Sequence, residues 1–131
     1  MARQIIESGE TDKVPEVFAT DCVIVDGGTT VTGIQSVQEG LRAYARSFSG
    51  SRHEVIRAVE APNMIAVEVR VTHTNTGSLH LSGRDIPPTG KEMVEEACDV
   101  VVIEAGKIKY WRVYEDQVDF LTQLGVMPNL A

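Results

Sequence analysis

Most of what this chain can fold into is dictated by a series of long, Val-rich β segments in its second half, roughly Arg52 to Glu60, Met64 to Thr74, Glu92 to Ile103 and Ile108 to Tyr114. Several exceed the five or six residues of an ordinary strand. An antiparallel sheet of such strands must twist and curl to bury one face. Pro62-Asn63 separates the first two segments, and Glu104-Ala105-Gly106-Lys107 makes a tight hairpin between the last two. Period-two alternation puts Val67, Val69, Val71 and His73 on one face, against Glu68, Arg70 and Thr72 on the other. In the last segment it puts Trp111 and Val113 opposite Tyr110, Arg112 and Tyr114.

The first half has a different period. Ile34, Val37, Leu41, Tyr44, Ala45 and Phe48 recur at helical spacing, with Gln35, Gln38, Glu39, Arg42 and Arg46 on the opposite side. That amphipathic helix is the natural filling for a concave sheet. Asp12 is placed to cap a short helix through about Ala19, with Pro15 in its first turn. Cys22 to Val25 reads as a strand ended by Asp26-Gly27-Gly28, and a closing helix from about Gln117 stops at Gly125, with Pro128 beyond. Helices, then a meander of strands, then one helix is an α+β order. The expected architecture is a curved antiparallel sheet wrapped around helices, a cone-shaped half-barrel. Leu41, Val69, Val101 and Phe120 are expected in one core.

At 131 residues and 43% apolar, with no repeat or linker, the chain reads as a single domain over 1–131. Its net charge of -7, with no basic cluster, argues against a nucleic-acid or anionic-membrane partner. No apolar run is long enough to span a bilayer, and the opening MARQIIESGE has no secretory stretch, so a cytoplasmic location is expected. Cys22 and Cys98 lie in Val-rich runs and read as reduced, buried thiols. His53, His73 and His80 are not spaced as metal ligands, and no phosphate loop or nucleophile elbow occurs. Neither a metal nor a cofactor is expected.

Thr72-His73-Thr74-Asn75-Thr76-Gly77, PPTGKEM over 87–93, the hairpin EAGKI over 104–108 and YEDQVDFLTQLGVMP over 114–128 follow one another in an order that resembles SnoaL-like proteins of the nuclear transport factor 2-like superfamily. The resemblance covers about half the chain, and FATDCVIVDGG with Gly33 is similar to the superfamily's opening. It implies a small-molecule pocket and several possible chemistries: polyketide cyclisation, ketosteroid isomerisation, epoxide hydrolysis or plain ligand binding. Fold alone does not choose among them.

Asp116 matches the aspartate before the family's Gln-Leu-Gly ending, which implies an acid/base role; it also sits where the N-cap of the last helix belongs. His73 matches the Thr-His segment and could donate to a carbonyl or be a satisfied core histidine. Asp26 corresponds to the general base of ketosteroid isomerases, or is simply a turn residue. The second acid those isomerases need is offered only loosely, by Asp99. Tyr44, Phe48, Trp111 and Tyr114 supply the aromatic surface for a flat apolar ligand, though strand alternation prevents all four from lining one pocket. For epoxide hydrolysis, Arg112 with Asp116 gives only part of the required Asp-Arg-Asp set.

The expected function is therefore a cofactor-free acid/base enzyme on a hydrophobic small molecule, polyketide-cyclase-like or isomerase-like. A non-catalytic binding module of the same fold is the alternative, and an epoxide hydrolase the third. A homodimer through the outer sheet face is expected from the superfamily's habit.

Overall fold

The computed structural model describes residues 2–81 and 83–126. Helix α1 (Ala2–Ser8) is followed by a 3-10 turn over Thr11–Lys13 and the single-turn helix α2 (Val14–Val17). Strand β1 (Phe18–Asp26) and the short β2 (Thr29–Thr32) lead into helix α3 (Ile34–Ser47). The long strands β3 (Phe48–Ala61) and β4 (Met64–Asn75) come next, then a small hairpin of β5 (Leu79–Leu81) and β6 (Arg84–Ile86). Strands β7 (Glu92–Glu104) and β8 (Lys107–Glu115) and helix α4 (Gln117–Leu124) complete the order.

Six strands form one sheet in the order β2-β1-β8-β7-β4-β3, antiparallel throughout except where β1 runs parallel to β8. The β3–β4 ladder shifts register twice, at Ser49/Arg52 and at Val55/Arg57, and the β7–β8 ladder shifts at Val102/Ile103. An extra residue on one strand bends it and increases its twist, so these bulges curl the sheet into an open cone. Helix α3 lies in the concavity and buries Val37, with Ile34 and Leu41 packed on the same cluster.

Three details differ from the sequence expectation. Residues 2–8 are helical, because Ile5 and Ile6 pack into the main core. The helix expected through Ala19 ends at Val17, since Phe18 is already extended and pairs with Ile108 of β8; Asp12 lies within the 3-10 turn and caps nothing. The core is divided. Val101 and Leu41 belong to the cluster of Phe18, Cys22, Val37 and Trp111, whereas Phe120 packs against Phe48, Met93 and Leu124 at the other end. At the closing helix, Asp116 caps the start and Gly125 takes the left-handed conformation (φ 79°) at the end. Pro128 lies outside the described residues.

The two motifs at 72–77 and 87–93 meet around Asn75, which is fully buried. Its Nδ2 donates to the carbonyls of Ser47 and Gly77, and its Oδ1 accepts from the backbone N and Oγ1 of Thr89. Its backbone N–H donates to Lys91 O, and its carbonyl accepts from Gly90 N. Asn75 therefore ties the ends of α3, β4 and β7 together at the rim of the cone.

Candidate functional site

Between α3 and the concave face lies a cavity of about 280 Å³. Its walls are mostly apolar: Ile24, Val31, Leu41, Val69, Val71 and Val113 among them. Into this surface project four carboxylates (Asp26, Glu95, Asp99, Glu115), two histidines (His53, His73), Tyr44, Trp111 and one guanidinium, Arg3. A few polar groups converging in an apolar hollow is the usual composition of a small-molecule site.

Strand alternation explains which side chains arrive. On β7 the residues with Val101's parity, Glu95, Ala97 and Asp99, point inward; on β8 the inward set is Trp111, Val113 and Glu115. The β7–β8 register sets Ala97 opposite Glu115, and β4 brings His73 to the same wall.

His73 is 5% exposed and Glu95 8%. His73 Nε2 lies 2.6 Å from Glu95 Oε2, and Nδ1 lies 2.6 Å from Tyr44 Oη, which is itself 2.8 Å from Ser51 Oγ. Phe48 stacks on the imidazole at 4.1 Å with the planes 13° apart. Burial pushes the Tyr44 phenol up to about 12, so it stays protonated and donates. The bonds then have one consistent direction for a neutral histidine: Ser51 donates to Tyr44, Tyr44 to Nδ1, and Nε2–H to the Glu95 carboxylate.

Further along the wall, burial, with Asp26 and Glu95 beside it, pushes the Glu115 carboxyl up to about 8, while Gln117 Nε2 donates to its Oε1 at 2.7 Å. Burial also raises Asp99, against the pull of Arg3, whose Nη1 stands 3.5 Å from Asp99 Oδ2. Trp111 Nε1–H lies near this carboxylate without reaching hydrogen-bond geometry, so Nε1 and Asp99 Oδ1 are both buried with no partner among the described residues. His53 is held by Glu7, whose Oε1 accepts from its backbone N–H at 2.6 Å; burial and the charge of Arg3 push the imidazole pKa down.

Of the residues singled out in the sequence, His73, Asp26, Tyr44 and Trp111 line this cavity, and Asp99 joins them from β7. Three do not. Asp116 is exposed outside the cone, where its Oδ1 accepts from Asp119 N at 3.0 Å as the cap of α4. Tyr114 is half exposed on the convex face, 4.8 Å beneath the Arg112 guanidinium, so Arg112 with Asp116 supplies nothing to the cavity. Phe48 is buried behind His73 rather than in the wall. Glu95 and Glu115 were not anticipated. The signal for Glu115 was present, since it continues the Trp111, Val113 alternation by one step.

The sequence matches the SnoaL-like domain family over residues 2–111. The chain belongs to the SnoaL-like family. No curated protein matches the sequence. Among solved structures, a SnoaL-like polyketide cyclase from Agrobacterium tumefaciens shares 16% identity at a TM-score of 0.74, over 93% of this chain and 91% of that one. A protein of ketosteroid isomerase-like fold from Catenulispora acidiphila, in complex with trimethylamine, shares 14% at a TM-score of 0.77, over 94% and 88%. An epoxide hydrolase of M. tuberculosis shares 16% at 0.70, over 92% and 81%. At these identities the likeness is one of fold. No helix among the described residues is long and apolar enough to cross a membrane.

Proposed function

We propose that this SnoaL-like chain is a cofactor-free acid/base enzyme that moves a proton on a hydrophobic small molecule held in the cavity, with Glu95 as the proton-accepting group and His73 as its positioning residue. The observation that carries this reading is the 2.6 Å bond between His73 Nε2 and Glu95 Oε2, buried in the wall of an apolar hollow. Nε2–H fixes one oxygen of the carboxylate, and the other is left to meet a carbon acid of the ligand. Tyr44 and Ser51 lock the tautomer that makes this possible. A positioned base of this kind contributes about 10²- to 10⁴-fold to a proton transfer. Polyketide-cyclase-like and isomerase-like reactions both begin with such a step at carbon next to a carbonyl. A cytoplasmic homodimer, paired through the convex face around Glu68, Arg70 and Thr72, is the assembly and location proposed with it.

The test needs no knowledge of the product. Exchange of α-protons for deuterium in a panel of hydrophobic ketones and 1,3-diketones is followed by NMR, with and without the protein. Faster exchange, lost in Glu95→Gln and weakened in His73→Asn, with the double variant no worse than Glu95→Gln alone, is the expected result. Binding of panel members without any faster exchange would favour the second reading, a ligand-binding module. One feature supports that reading: both ring nitrogens of His73 are already engaged within the protein.

A further inference from the structure

Asp26 and Glu115 take no part in the His73–Glu95 pair. They end the neighbouring strands β1 and β8, and both line the cavity. Among the described residues no lysine, arginine or histidine lies within ion-pair distance of either. Arg3 is the one lysine or arginine among the lining side chains, and it belongs to Asp99. In the parallel β1–β8 ladder Asp26 pairs with Val113, two residues before Glu115 on the same face, so exposed Asp26 and half-buried Glu115 are neighbours on the cavity side. Burial, with Asp26 beside it, pushes the Glu115 carboxyl up to about 8. Asp26, Asp99 and Glu115 all line the one cavity. Asp99 adds a second demand: it is 4% exposed, and its Oδ1 has no hydrogen-bond partner among the described residues.

We propose that the Asp26–Glu115 pair is the seat for one positive charge, and that the cavity takes a protonated amine carrying an apolar body. The ammonium N–H sits between the two carboxylates, and a further N–H of a primary or secondary amine reaches toward Asp99 Oδ1. Trp111 and Tyr44 line the cavity beside the pair, and Ile24, Val31 and Val113 supply apolar wall for the amine's alkyl groups. Binding exchanges one proton for one ammonium: the amine enters charged, and the proton on the carboxyl pair leaves to solvent. The other ionisable groups facing the seat are Glu95 and Asp99 of β7, His73 of β4 and His53 of β3, with Tyr44 of α3 and Arg3 of α1. This inference rests on the reading of the cavity as the ligand site, and not on turnover.

Trp111 is the chain's single tryptophan and lines the cavity, so its fluorescence reports occupancy directly. The probes are N,N-dimethylbenzylamine, cationic near neutral pH, and its uncharged isostere isobutylbenzene, titrated at pH 6, 7 and 8, with calorimetry in two buffers to count protons. The amine should bind at least about tenfold tighter than isobutylbenzene at pH 8. Its Kd should fall by about tenfold per unit between pH 6 and 7 and level off near 8, with close to one proton released in the lower range. Glu115→Gln should weaken the amine and remove the pH dependence, and Asp26→Asn should weaken it, while both keep their far-UV circular dichroism and their affinity for isobutylbenzene. Equal or tighter binding of the uncharged probe overturns the proposal but leaves the cavity as a ligand site. Absence of amine binding, or amine binding indifferent to both substitutions, overturns it as well. Ketone exchange does not enter this test, so the acid/base reading fails or stands separately.

Discussion

Glu115 and Asp116 are neighbours in the chain and serve opposite sides of the sheet: Glu115 turns into the cavity, and Asp116 caps α4 outside it. The reason is the strand's alternation, which ends at Glu115, followed by the first N–H groups of a helix in need of an acceptor.

As a cap, Asp116 is replaceable by any short acceptor. Asp116→Asn should be close to neutral, and Asp116→Ala should cost about 1 kcal/mol in chemical denaturation. Proton exchange on ketones should be unaffected by either. A large loss of exchange in Asp116→Asn, with stability unchanged, would contradict the placement.

Glu115 should make stability depend on pH in the direction opposite to an ion-paired acid. Its folded value of about 8 stands above the ordinary 4.5, so the folded state binds its proton more tightly than the unfolded chain. Protonation therefore favours folding fully below about pH 4.5, and that contribution is lost as pH rises toward 8. Glu115→Gln carries no proton to lose. Its melting temperature should differ little from the parent at pH 5 and exceed it by a few degrees, on the order expected for partly solvated groups, at pH 9. A parallel pair of profiles from pH 5 to 9 would refute this.

Two glycines should respond in opposite ways to alanine. A Cβ on Gly77 would stand 1.7 Å from the backbone oxygen of Arg46, where α3 ends against the Asn75 knot. Backbone cannot yield as a side-chain tip can, so Gly77→Ala should cost about 3 kcal/mol or more. Gly40 lies within α3 and its Cβ would meet nothing within 4 Å. Gly40→Ala should stabilise by about 0.5 to 1 kcal/mol through helix propensity. Urea denaturation of the two variants side by side checks both signs.

The long strands, the central helix and the stop of the closing helix are local properties of the chain, and the sequence determined them, whereas α1, β2 and the β5–β6 hairpin carried no such signal. Period two runs through 64–74 and 92–103, period 3.6 through 34–48, and glycine ends the last helix, so strands, central helix and cap follow from spacing alone. The motifs at 72–77 and 87–93 also identified the family correctly; they bury Asn75 where they meet, and the first of them carries His73 to the cavity wall. Which acids share a cavity was not local. Glu95, Asp99, Asp26 and Glu115 come from three strands, and they converge only because β1 crosses to lie parallel beside β8 and the bulges curl the sheet. A carboxylate at a strand's end looks the same in sequence whether it faces water or an apolar hollow. Burial and the neighbouring charges decide its proton, and those are set by tertiary packing.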